Sequence, residues 1–166
     1  MIDFLKIEDC HLIYEWRNSL SVRQSMINSM PITYNEHMNW CREILDKDSK
    51  VWFIYSNEND VKQAVIYFND INYKDGVAKW GIYKNPISIR GVGKVAAKES
   101  LNKIFIEFGF KKIIAEVKND NTNSIRFHES IGFSKVGEKK IYDSNNTPFS
   151  CTVYELTRGH WLLNEE

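Results

Sequence analysis

Asn85-Pro86-Ile87-Ser88-Ile89-Arg90-Gly91-Val92-Gly93-Lys94 lies between an apolar run, VAKWGIY (77–83), and a segment with helical spacing. Strand, glycine turn, helix is a cradle for an anion. Two glycines let the backbone turn sharply and approach a ligand closely, and the unpaired N–H groups at the helix start favour phosphate oxygens. Arg90 and Lys94 add charge-assisted contacts. A Walker A loop would need glycine at position 88 and Ser or Thr after the lysine; the chain has Ser88 and Val95, so that reading fails. Gly91-x-Gly93-x-x-Ala96 matches a dinucleotide fingerprint in form. An antiparallel meander precedes it, however, and no acidic residue clearly ends the next strand. A tight loop entering an ordinary helix is the third reading.

Outward from this loop, IDFLKI (2–7) reads as a first strand, and Asp9 as the N-cap of a helix carrying Leu12, Ile13, Trp16 and Leu20 at helical spacing. Thr33-Tyr34-Asn35-Glu36 has the form of a capping box and opens a second helix with Cys41, Ile44 and Leu45 on its apolar stripe. VWFIYS (51–56), QAVIYFNDI (63–71) and VAKWGIY read as an antiparallel meander. A helix from about 93 to 108 buries Val95, Leu101, Ile104, Phe105 and Phe108, and KKIIAEVK (111–118) returns as a strand. A short helix from Ser124 to Ile131 is capped by Asn123 and stopped by Gly132; 133–142 and 150–157 are the last strands. The order βααβββαβαββ is that of an α+β domain, a mixed sheet with helices on both sides, and 166 residues make one domain, 1–166.

Composition excludes several functions. Lys plus Arg equals Asp plus Glu at 22 each, so no overall field draws the chain to nucleic acid or an anionic membrane, and an anionic ligand must be held locally. Cys10, Cys41 and Cys151 are odd in number and widely spaced, without clustered histidines: no metal site and no disulfide framework, but buried thiols of a reducing cytosol. The start MIDFLKIEDC lacks a basic, apolar leader, and no run reaches the ~20 apolar residues of a membrane span. A cytoplasmic protein is expected, with a homodimer left open.

The run Asn119-Asp120-Asn121-Thr122-Asn123-Ser124-Ile125-Arg126-Phe127-His128-Glu129-Ser130-Ile131-Gly132-Phe133 separates the three readings of the glycine loop. Together with that loop it resembles the paired signatures of the GNAT acetyltransferases, over essentially the whole chain. The resemblance implies a twisted mixed sheet of about seven strands with about four helices, in which parallel strands four and five splay into a V. The pantetheine arm of acetyl-CoA would enter there as an added strand. Backbone at Ile82 and Tyr83 would hold the thioester carbonyl; Ile89, Arg90, Gly91, Val92, Gly93 and Lys94 would hold the pyrophosphate; and Asn119, Asn121, Asn123 and Arg126 would complete the cofactor site. Two departures stand out. Ser88 takes the place of the family's usual Gln or Arg, and His128 stands where many members have a tyrosine that protonates the CoA thiolate. Histidine can serve as that acid near neutral pH; the alternative is a helix-face histidine without catalytic duty.

Glu15-Trp16-Arg17-Asn18, Val22-Arg23, Glu36-His37-Met38-Asn39-Trp40, Asp70-Ile71-Asn72 and Trp80-Gly81-Ile82-Tyr83 resemble the UDP-4-amino-sugar N-acetyltransferases of pseudaminic acid biosynthesis. That likeness implies an acceptor amine on a UDP-linked 4-amino-4,6-dideoxy sugar, with Arg17, Arg23 and His37 flanking the diphosphate, Trp40 or Tyr67 covering an apolar or aromatic face, and Asn18 and Asn69 among the substrate-binding residues. Against this, the arginines read equally as surface charges and Trp40 as core. No glutamate stands on VAKWGIY, so Asp70, or a water held by Asn69 and Asp70, is the expected base. Other acceptors, a protein N-terminus or another small amine, fit the same cofactor half, as does a non-catalytic acyl-CoA-binding module.

Overall fold

The computed structural model describes residues 1–163, so the last three residues of the expected 1–166 domain lie outside the described ones. The chain runs β1 (Ile2–Phe4), a 3-10 turn (Ile7–Asp9), α1 (Cys10–Asn18), α2 (Leu20–Arg23), α3 (Tyr34–Leu45), β2 (Val51–Ser56), β3 (Lys62–Asn72) and β4 (Val77–Lys84). It continues through α4 (Val92–Asn102), a π-helical turn (Lys103–Glu107), β5 (Lys112–Lys118), α5 (Thr122–Ser130), β6 (Ser134–Tyr142), β7 (Pro148–Thr157) and α6 (Arg158–Leu163). The seven strands among the described residues join one sheet in the order β1-β2-β3-β4-β5-β7-β6. Among the described residues only the β4–β5 pair is parallel, α4 carrying the chain from one to the other; α5 likewise returns it from β5 to β6, but β7 lies between those two.

Alternation sorts the side chains of these strands between two cores. Phe53, Ala64, Ile66, Phe68, Ala78 and Trp80 face the α4 side, where Ala96, Ala97, Leu101, Ile104 and Phe105 close over them. Trp52, Ile54, Val65 and Tyr83 face the other way, against Ile13 and Trp16 of α1 and Cys41 and Ile44 of α3. Expected and observed elements agree in order, and the short α2 and α6 bring the α-helices to six among the described residues.

Local expectations fail where a side chain finds a better partner. Asp9 does not cap α1; its buried carboxylate accepts from the Lys6 N–H (2.9 Å) and pairs with Lys62, which closes the 3-10 turn instead. The first helix breaks at Ser19, whose extended backbone and hydroxyl bond to the Trp16 carbonyl (2.7 Å) turn the chain and leave Leu20 exposed. Asn121 caps α5 in place of Asn123, its Oδ1 accepting from the Ser124 N–H at 3.1 Å. Val95 and Phe108 are exposed. Small Ala96 and Ala97 form the contact stripe of α4, and the i→i+5 bond from the Phe108 N–H to the Lys103 carbonyl (3.2 Å) rotates Phe108 off the buried face. The Thr33–Glu36 capping box forms as expected.

Candidate active site

Pairing between β4 and β5 is limited to Val77↔Lys112, Ala78↔Ile113 and Lys79↔Ile114. Beyond Lys79 each strand keeps only its outer neighbour: Trp80–Lys84 remain on β3, and Ala115–Lys118 remain on β7. The inner edges of both arms therefore present main-chain groups without a strand partner, held in place from outside. On one face of this V, the Trp80 indole stacks on Phe133 (5.3 Å, 14°) and meets the His128 ring edge-on at 5.7 Å. On the other face the Tyr67 ring lies flat on Trp52 (4.6 Å, 19°). A β-carbon at Gly81 would come within 2.1 Å of the Tyr67 hydroxyl, so the glycine is what admits the tyrosine.

A cleft of about 790 Å³ runs through the opening. At one end are Asn85, Pro86, Arg90, Gly91, Gly93 and Lys94 around the start of α4, together with Lys84. Gly91 precedes the helix with φ of 94°, the left-handed conformation that glycine adopts without a side-chain clash, and its carbonyl accepts from the Lys94 N–H at 3.0 Å. Three cations and a helix N-terminus at one mouth suit a polyanion. Along the walls come Ile82, Tyr83, Ala115, Glu116, Asn121, Asn123, Ser124, Phe127 and His128, with Tyr67, Ser21, Val22, Ser25 and Met26 on the α2 side.

His128 is almost fully buried among Trp80, Phe127, Phe133 and Tyr154. Nδ1–H donates to the Ser124 carbonyl at 2.7 Å, which leaves Nε2 as the ring's acceptor, on a residue that lines the cleft. Burial holds its pKa below the ordinary imidazole value, with the Ser124 contact opposing in part. The ring is therefore neutral, with Nε2 an acceptor, and it must gain a proton before it can serve as the acid expected from the sequence.

The other expected residues divide. Ile82, Tyr83, Arg90, Gly91, Gly93, Lys94, Asn121, Asn123 and Tyr67 line the cleft. Val92 is buried in the α4 core, so its backbone alone can serve a ligand, while Ile89 and Arg126 are exposed and outside the lining. Asn119 instead accepts from the Thr152 hydroxyl (2.9 Å), beside a smaller hollow at the end of β5. Asp70 sits on a β-bulge with φ of 50°, two-thirds exposed and paired with Lys79 at 3.1 Å, and it does not line the cleft. Asn69 accepts from the Trp52 indole at 3.0 Å, away from the cleft lining. His37 is fully buried, Nε2–H donating to the Cys10 carbonyl (2.7 Å), and Trp40 packs between it and Trp52. Arg17, Asn18 and Arg23 bond to backbone carbonyls of neighbouring chain.

Glu116, Lys84 and Ser124 belong to the cleft without having been expected there. Glu116 stands two residues past the last β4–β5 pair, is mostly buried, and contacts Lys79 (3.3 Å) and Lys139 (2.6 Å). The alternation of KKIIAEVK was the available signal: Ala115 and Val117 go to the core, so Glu116 must face the opening's other side.

The acetyltransferase (GNAT) domain family model matches residues 2–134. Acetyltransferase PseH of Campylobacter jejuni is 25% identical over 138 residues, which cover 83% of this chain and 85% of that one. An uncharacterized N-acetyltransferase, YokL, derived from prophage SPbeta in Bacillus subtilis, is 28% identical over 138 residues, 81% of this chain and 76% of its own. Among solved structures, spermidine N-acetyltransferase from Vibrio cholerae in complex with CoA and spermine superposes with a TM-score of 0.86 over 98% of this chain and 97% of that one. Its 15% identity carries the likeness of fold.

Proposed function

Because the chain belongs to the GNAT acetyltransferase family and so moves an acetyl group from acetyl-CoA to an amine, we propose that its acceptor is the 4-amino group of a UDP-linked 4-amino-4,6-dideoxy sugar. The observation that carries this reading is the neutral acceptor wall. Tyr67, Ser21, Ser25, Val22 and Met26 offer hydroxyl groups and apolar faces, as a hexose ring requires, and Glu116 is the single carboxylate among the described cleft-lining residues. A polyamine would call for several. The likeness to a PseH acetyltransferase over most of both chains supports the same reading.

In this proposal acetyl-CoA lies along the V with its pyrophosphate at Gly91–Lys94 and its thioester carbonyl facing backbone N–H groups near Ile82 and Tyr83. The amine, deprotonated by Glu116 directly or through a water, attacks the thioester carbon and forms the C–N bond. His128 Nε2 takes the proton shed by the nitrogen and returns it to sulfur as the C–S bond breaks, so one imidazole serves both transfers and the products are the amide and free CoA. No acyl-enzyme forms.

Thiol release from acetyl-CoA, measured with UDP-4-amino sugars and with spermidine, tests the acceptor. The expected kcat/KM ratio favours the nucleotide sugar by roughly hundredfold or more, since the neutral wall leaves the second and third ammonium groups of a polyamine unpaired. Faster turnover of spermidine would overturn the proposal.

A further inference from the structure

None of the described backbone-to-backbone hydrogen bonds involves residues 27–32, the stretch that connects α2 to α3. Main-chain carbonyls in such a segment need other partners. Three side chains supply them. The Arg17 guanidinium donates through Nη2 to the Asn28 carbonyl (2.7 Å). Asn18 makes a matched pair with Ile32, Nδ2–H to its carbonyl (2.8 Å) and Oδ1 from its N–H (3.0 Å). Arg23 donates through Nε to the Asn18 carbonyl (3.0 Å) and through Nη1 to the Ser29 carbonyl (3.1 Å). Ser25 and Met26, which lead into this segment, line the cleft; Ile27 and Ser29 line the smaller hollow at the end of β5. The segment thus borders both spaces, fastened to α1 and α2 by side chains.

We infer that Arg17, Asn18 and Arg23 are positioning residues: they hold the 27–32 segment so that Ser25 and Met26 form the acceptor wall, and they set acceptor specificity without touching the acceptor. This rests on that wall being the acceptor's, as proposed above. It also replaces the expectation, implied by the resemblance, that the two arginines grip a diphosphate. Two donors of Arg23 and Nη2 of Arg17 point at carbonyl oxygens, while Nη1 of Arg17 is buried without a hydrogen-bond partner, and a lysine could match the Arg23 charge but not its geometry.

The full chain and its variants Asn18→Ala, Arg23→Ala, Arg23→Lys and the Asn18→Ala/Arg23→Ala double variant test the inference. Amide hydrogen exchange should rise about tenfold or more at Ser25, Met26 and Ile32, the amides of 24–32 that have acceptors at or beside the fastening, and stay at the parent rate in β3–β5. For whichever amine the enzyme turns over, KM should rise by about tenfold while kcat and acetyl-CoA affinity stay within about twofold. Arg23→Lys should behave like Arg23→Ala. The double variant should fall well short of the product of the single effects, since both act through one segment. Unchanged exchange in 24–32 overturns the inference, and so does an Arg23→Lys enzyme with the parent KM. The exchange measurement needs no acceptor, so a failed sugar assignment and a failed positioning role give different results.

Discussion

At His128, one hydrogen bond decides which proton chemistry is open. With Nδ1–H committed to Ser124 and Nε2 bare, the neutral ring is a base, and burial keeps it neutral below the ordinary imidazole value of 6.5. The rate should therefore rise with pH through that lowered value and be flat above it; a ring acting only as a pre-protonated acid would give the opposite slope. His128→Ala should lower kcat by about hundredfold or more and erase this limb, with acetyl-CoA affinity little changed. Rate against pH for the parent and the variant checks both statements, and a limb that survives in His128→Ala removes the role. The position of His128 was legible in the sequence from the run that ends at Gly132-Phe133. Its protonation was not, because the burial comes from Trp80, Phe133 and Tyr154, which three different strands or turns deliver. Asp70 shows the reverse error. An acid near the expected strand was visible, but the bulge that turns it toward Lys79 and solvent was not.

Among the elements, β4 is where sequence and shape meet. The alternation of VAKWGIY reads directly as one core-facing and one cleft-facing row, and its glycine is the residue the wall depends on. Tyr67 lies across Gly81 on the neighbouring strand, wedged against Trp52. Gly81→Ala puts a methyl group where the phenol ring is, so either Tyr67 leaves Trp52 or the strand shifts. Overpacking of this kind costs about 1–3 kcal/mol. Thermal unfolding should report that loss, and a Tyr67→Ala background should relieve it, because the three nearest atoms to the added carbon all belong to Tyr67. If the double variant is no more stable than Tyr67→Ala lowered by the full Gly81→Ala effect, the contact is not the cause. The strands and helix order were readable because period and capping are local. The fastening of 27–32 was not: polar side chains on α1 and α2 announce charge, and only the fold shows that backbone carbonyls receive it.

At the scale of the whole molecule, one imidazole is sealed into each of the two cores, His37 between α1 and α3 and His128 beneath the V. Burial lowers the pKa of both below 6.5, with a single carbonyl contact opposing it in each case; the Arg17 charge lowers His37 further. The unfolded chain takes up protons near 6.5 that the folded chain refuses, so the unfolded state binds more protons in this window and stability rises with pH across it. Acidification from 6.5 toward the lowered values should therefore depress Tm, and the loss should level off once the folded rings also protonate. The Glu36, Glu43 and Glu138 carboxylates, held below the ordinary value of 4.5 chiefly by the Thr33 N–H, Lys47 and Lys135 respectively, act only at lower pH and so do not mask the effect. His37→Gln, which keeps an N–H donor for the Cys10 carbonyl but has no titrating ring, should flatten the Tm profile above about pH 5 by roughly half if the two sites contribute alike. An unchanged slope in that variant would mean that His37 stays neutral or charged alike in both states, and that the α1–α3 core is wetter than its packing indicates.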